Sequence, residues 1–82
     1  MNKLQEALKK EKFVFGTDKV LNLLRNGKLK VVFLADNVKE EVREEIEHLV
    51  RFGKTEIITL NVPNTEVGVI CKKPFAISVL GY

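Results

Sequence analysis

Hydrophobic positions along this chain switch repeatedly between helical spacing and short β-branched runs. Leu4, Ala7 and Leu8 recur at helical spacing within residues 2–11. Phe13-Val14-Phe15 reads as a short strand closed by Gly16. Thr17 is placed to cap a second helix, with Asp18 favourable in its first turn. Val20, Leu21, Leu23 and Leu24 supply that helix's buried face, and Asn26-Gly27 ends it, with Gly27 suited to the left-handed position past a C-terminus. Residues 30–35 form a nearly continuous apolar strand, the pattern of a central strand covered on both faces. Asn37 followed by Glu40 resembles a capping box for a third helix reaching Phe52, with Val42, Ile46, Leu49 and Val50 inward and Gly53 as its stop. Residues 55–60 read as a third strand. Asn64 or Thr65 caps a short fourth helix holding Val67, Ile70 and Cys71, and Pro74 separates it from a last strand, Phe75 to Leu80. Strict alternation of helix and strand predicts helices on both faces of one sheet, a three-layer α/β/α sandwich.

A length of 82 residues predicts one domain, and 45% hydrophobic residues is ordinary for a globular chain. The single Cys71 excludes an intramolecular disulfide and an all-cysteine metal site. The single His48 would need carboxylates at ligand spacing, and none is so placed; neither metal nor cofactor is expected. The start Met-Asn-Lys carries no apolar leader core, and the longest apolar run, Val31 to Ala35, is far too short to span a bilayer. A reducing cytoplasm is the expected compartment. Eleven Lys and nine Glu against one Gln lean toward a thermophilic source.

The net charge of +3 is unevenly spread. Residues 39–47 hold five acids and two bases, a net of −3, which leaves +6 on the remainder. One acidic helix on an otherwise basic chain fits a polyanion approached from one side, although two solvated faces would carry the same pattern. Two stretches sharpen the first possibility. Phe15-Gly16-Thr17-Asp18-Lys19 and residues 61–71 both lead into a helix with a glycine nearby. Two helix N-termini of this kind point to one composite surface for a phosphate-bearing partner.

An ordered set of motifs resembles the ribosomal protein L-thirty-e branch of the L-seven-Ae kink-turn-binding superfamily. Gly16 opens the second helix; Leu24-Arg25-Asn26-Gly27-Lys28 resembles the family's Leu/Ile-Arg-Gln-Gly-Lys step. Val31 to Asn37 resembles its aliphatic strand, Glu45-Ile46-Glu47 a Glu-Ile-Glu in the third helix, and Asn64-Thr65-Glu66-Val67-Gly68 an Asn-x-Glu-Leu-Gly motif. Cys71, Lys73 and Phe75 fall where the pattern has Cys, Lys and an aromatic. The fit runs from residue 13 to residue 80, after an N-terminal helix within residues 1–12. The resemblance implies a central mixed four-stranded sheet and a single RNA-binding domain over residues 1–82. It implies a non-enzymatic protein of the large ribosomal subunit in archaea, monomeric when free, with ribosomal RNA and neighbouring ribosomal proteins as partners and no membrane. It would grip a kink-turn, an RNA helix sharply bent at an internal loop. Gly16, Thr17, Asp18, Lys19 and Asn22 on the second helix would enter the bend. Asn37, Asn64, Glu66, Val67, Gly68 and Phe75 would close over an extruded base, with Asn edges reading bases and backbone N–H groups meeting phosphates.

The chain departs from the family pattern where relatives carry Asn or Lys, then Glu or Gln, then Lys: here stand Asp18, Lys19 and Asn22. Val62-Pro63 replaces Gly-rich residues and predicts a stiffer loop, and the family's C-terminal extension is absent. Gly16 is read as a point of close RNA approach, and Gly16→Val is expected to lose binding more than folding provided that Gly16 has a negative φ. Asn37 is a cap, an RNA contact or both; Asn64 is a base-edge reader or ordinary Pro-Asn turn chemistry. Glu66 is expected to hold N–H groups of its own loop, and Phe75 to be part core and part stacking platform. His48 is expected exposed or half-packed, and Cys71 a buried small hydrophobe rather than a nucleophile. Three other functions stay open: a kink-turn protein of a non-ribosomal modification, tRNA-processing or regulatory complex; an interaction module that has lost RNA binding; and a small enzyme using Cys71 or a carboxylate.

Overall fold

The computed structural model describes residues 2–51 and 53–82. The elements run α1 (Asn2–Lys10), β1 (Val14–Phe15), α2 (Thr17–Arg25), β2 (Val31–Leu34), α3 (Glu40–Val50), β3 (Glu56–Thr59), α4 (Asn64–Ile70) and β4 (Val79–Gly81). The sheet order is β1-β4-β2-β3. β2 pairs parallel with β3, while β4 runs antiparallel to both β1 and β2, so the sheet is mixed, as expected.

Alternation along β2 builds both cores. Val31, Phe33 and Ala35 face one side and pack with Leu4 of α1 and Val67 of α4. Val32 and Leu34 face the other and pack with Val20, Leu21 and Leu24 of α2 and Ile46 of α3. The result is the predicted three-layer sandwich, with α1 and α4 on one face and α2 and α3 on the other. Every residue of β2 is buried, which explains a strand apolar on both faces. Each fully buried Phe, Leu or Ile contributes about 1.5–3 kcal/mol relative to exposure. Leu23, Val42, Leu49 and Val50 only half-bury at the edge of the second core.

Several boundaries differ from expectation. α3 starts at Glu40 with Lys39 as its N-cap, and no side chain caps it. The capping box of Asn37 and Glu40 does not form, because the Asn37 side chain is engaged elsewhere. Two acids in the first turn, Glu40 and Glu41, favour this helix end instead. The expected end of α3 at Phe52 lies outside the described residues. Thr17 is not a cap but the first residue of α2, whose N-cap is Gly16. Likewise Asn64 is the first residue of α4, after Pro63, and Thr65 lies inside the helix. The last strand is Val79–Gly81 rather than 75–80. Residues 75–78 run over α4: the Ile77 N–H donates to the Asn64 carbonyl at 3.0 Å. Pairing continues instead to the end of the chain, where Tyr82 and Val31 exchange N–H···O bonds of 3.0 Å.

Candidate nucleic-acid interface

Antiparallel pairing of β4 with both neighbours brings three chain segments to one end of the sheet. Val79 of β4 lies opposite Leu34, the last residue of β2, and Leu80 opposite Phe15, the last residue of β1. The Gly16 N–H then donates to the Val79 carbonyl at 3.0 Å, and the Ala35 N–H to the Ser78 carbonyl at 2.9 Å. Beyond this edge the chain turns into α2 at Gly16 and toward α3 at Asp36-Asn37. α4 begins close by, because the Asp36 N–H donates to the Val62 carbonyl at 2.9 Å.

The start of α2 is open. Gly16 makes no side-chain cap, and the first helical bond runs from the Val20 N–H to the Gly16 carbonyl at 3.1 Å. The amides of Thr17, Asp18 and Lys19 therefore have no acceptor among the described residues. Such amides, at the positive end of the helix, are free to meet an anion. Asp18, Lys19 and Asn22 are all exposed on this helix.

The first amide of α4 is taken, unlike those at the start of α2, so the two helix N-termini expected to form one surface are not equivalent. The Asn64 N–H donates to Asn37 Oδ1 at 2.9 Å, and Asn37 Nδ2 donates to Asn64 Oδ1 at 3.2 Å. Asn37 thus ties down the first amide of α4, not of α3. Asn64 Nδ2 in turn donates to Ser78 Oγ at 3.2 Å. The chain Asn37–Asn64–Ser78 joins the turn after β2, the first turn of α4 and the entry to β4. Nothing in the sequence marked Ser78.

Between the α2 start and residues 73–78 lies a groove of about 600 Å³. Phe13, Phe15, Gly16, Thr17, Lys19, Lys73, Phe75 and Ser78 are among its lining residues. Lys19 and Lys73 are its charged groups; no carboxylate lines it, and Asp18 is not in it. Lys73 Nζ sits 4.9 Å from the centre of the Phe15 ring, a cation–π contact that places its charge at the rim. Phe13 backs this wall, 6.2 Å from Phe15 and 5.8 Å from Phe33 between ring centres. Phe75 is 55% exposed, so its ring is open to a stacking partner.

Of three further expected site residues, two serve the scaffold and one holds nothing in place among the described residues. Val67 is fully buried in the core and offers no surface. Gly68 is buried, and a Cβ there would overlap the Phe75 carbonyl, so this glycine lets residues 74–76 lie on α4. Glu66 is an exposed residue of α4, and no hydrogen bond joins its carboxylate to the preceding loop among the described residues. Phe75 and the α2 start line one groove, and Asn37 and Asn64 reach it only through Ser78. Sequence reasoning left Phe13 and Phe15 out of the site, because aromatics beside a short strand read as core. Lys73 was visible only through its place in the motif.

Elsewhere, His48 is exposed on α3 and Cys71 is half-buried against the α1/α4 core. Burial pushes the Cys71 thiol up from its ordinary value, with nearby Lys73 opposing more weakly. Among the described residues no three His, Cys, Asp or Glu side chains cluster to hold a metal, and no helix is long and apolar enough to cross a membrane.

A sandwich with this mixed sheet is a known architecture. A solved structure, of a protein with unknown function from Bacillus halodurans C, superposes with a TM-score of 0.80 over 95% of this chain and 77% of its own, at 15% identity. That likeness is one of fold. The chain belongs to the Ribosomal protein L7Ae/L30e/S12e/Gadd45 family, whose pattern matches residues 1–82. Family membership sets it among ribosomal proteins rather than enzymes. It is similar to the large ribosomal subunit protein eL30 of Sulfurisphaera tokodaii, at 29% identity over 98% of this chain and 76% of that protein. The Methanococcus maripaludis protein of the same name is 34% identical over 82% of this chain and 63% of its own length. The Branchiostoma belcheri one is 33% identical over 96% and 69%.

Proposed function

We propose that this chain is a structural RNA-binding protein of the large ribosomal subunit, and that it recognises a kink-turn in ribosomal RNA. One observation carries the proposal: three unpartnered amides at the start of α2 open beside a groove with two lysines and no carboxylate, and the exposed Phe75 ring lies at its other side. Phosphate oxygens suit the amides and the ammonium groups, and an extruded base suits the ring. A perfect duplex would hide its bases from that ring; an internal loop would not. The names of the eL30 relatives support the ribosomal setting and a cytoplasmic location. Residues 1–82 act as one domain and as a monomer when free. A thermophilic archaeal source is part of the same reading, supported by the Lys- and Glu-rich composition.

The direct test is a binding titration against a kink-turn RNA and a perfect duplex of equal length. The bent RNA is expected to bind more tightly. Equal affinity would leave only non-specific electrostatics. Co-sedimentation with large subunits in cell extract tests the ribosomal assignment, and recovery of the chain only in lighter fractions would refute it.

A further inference from the structure

A second groove, of about 720 Å³, lies between the C-terminal ends of α1 and α4. Lys9, Lys12, Lys72 and Lys73 line it against one carboxylate, Glu11, a net of +3. Phe13, Phe15 and Lys73 line the first groove as well, so the two are continuous.

The chain holds one of these lysines at a conformational cost. Lys72, at φ 59, is the only non-glycine residue with positive φ among the described residues. It follows the α4 cap, Cys71. Its N–H donates to the Val69 carbonyl at 3.0 Å, and the Lys73 N–H donates to the Gly68 carbonyl at 2.9 Å. Glycine meets this helix-ending geometry without a Cβ penalty. For a lysine the left-handed backbone costs about 1–2 kcal/mol. Attraction of an exposed ammonium to the helix C-terminus returns only about 0.3–1 kcal/mol. Helix termination therefore does not account for a lysine here, whereas a cation at the groove rim is something glycine could not supply.

We infer that this groove holds the phosphate backbone of the RNA stem that flanks the bent loop seated in the first groove. The inference rests on the RNA-binding function proposed above. Four ammonium groups on flexible stems are point charges suited to phosphates and indifferent to sequence. An RNA leaving the first groove past Phe15 and Lys73 meets them without a break.

The test compares kink-turn RNAs with short stems and with either stem lengthened, bound to the full chain across a salt series. Two variants are needed. Lys72→Gly removes a charge while relieving the backbone, so it keeps the fold. Lys9→Gln combined with Lys12→Gln and Lys72→Gly removes three charges. The triple variant is expected to bind one lengthened RNA about tenfold to a hundredfold more weakly at low salt, with a salt slope smaller by about 2–3. Its affinity for the short-stemmed RNA should match that of the parent. Unchanged affinity and slope on every RNA would overturn the inference and leave an acidic protein segment as the groove's occupant. Failure of the parent chain to prefer bent RNA over duplex would instead overturn the function on which the inference rests.

Discussion

Gly16 has φ 105 and ψ 146, a region that a residue with a side chain enters only under strain. The condition of a negative φ is therefore not met, and Gly16 is required by its own backbone. Gly16→Val should lower folding stability by about 1–3 kcal/mol in denaturant titration, which makes it a poor probe of binding. A stability equal to the parent's would show that the turn relaxes at no cost. Asp18 offers a cleaner probe. It is exposed in the first turn of α2, where the helix dipole favours a carboxylate. Asp18→Asn should cost the free protein at most about a few tenths of a kcal/mol. It should weaken binding to the natural RNA if the carboxylate accepts hydrogen bonds from a guanine edge. Tighter binding, most visible at low salt, would reduce Asp18 to a helix-end charge. Cys71 gives a pH signature. Its thiol titrates above the ordinary value of 9.0 because burial disfavours the thiolate. The raised folded value means that the stability it contributes is complete below the unfolded value and is lost as pH rises through the folded one. Stability should thus decline above about pH 9 more steeply in the parent than in Cys71→Ala, as read by thermal melts.

At the scale of elements, α4 depends on residues distant in sequence. Its first amide is satisfied by Asn37, from the turn after β2, and Asn64 passes the contact on to Ser78. Asn37→Ala should cost about 1 kcal/mol, the usual worth of an N-terminal cap. It should also speed hydrogen exchange at the Asn64 amide while leaving α3 as protected as before. Loss of protection in α3 instead would restore Asn37 as the cap of that helix. The exposed Arg25–Glu45 ion pair, at 2.9 Å, links α2 to α3 but contributes only about 0–1 kcal/mol. What holds those helices to the sheet is Val20, Leu21, Leu24 and Ile46 in the second core.

For the whole molecule, charge and layers work together. The acidic outer face of α3 and the groove at the α2 start belong to different parts of the surface, with Glu41, Glu44, Glu45 and Glu47 around the one and Lys19 and Lys73 at the other. About 3–5 phosphate contacts at the first groove would give a slope of log affinity against log salt of roughly −2 to −4. A slope near zero, measured on kink-turn RNA, would mean that the interface is not built on phosphates.

Local chemistry was enough to determine the element order, the three layers and the main core residues. Helical spacing in α2 and α3 and the apolar run of β2 depend only on which face each side chain presents, and that follows from 3.6-residue and two-residue periods. Gly16 as the stop of β1 and Asp18 in the first turn of α2 were legible from equally local turn and helix-end chemistry. Partner choice is not a local property. Asn37 has the right spacing to cap α3, yet it caps α4, because the fold brings the Asn64 N–H to 2.9 Å from its Oδ1. Val67 and Gly68 sit in a motif that resembles a binding loop, but packing against the sheet and against Phe75 commits them to the interior. Only the tertiary structure joined Phe13, Phe15 and Lys73 into one wall, and only it placed Lys72 in a left-handed turn beside Lys9 and Lys12. Those groups lie on separate segments, and it is the sheet order β1-β4-β2-β3, set by the pairing of distant strands, that brings them together.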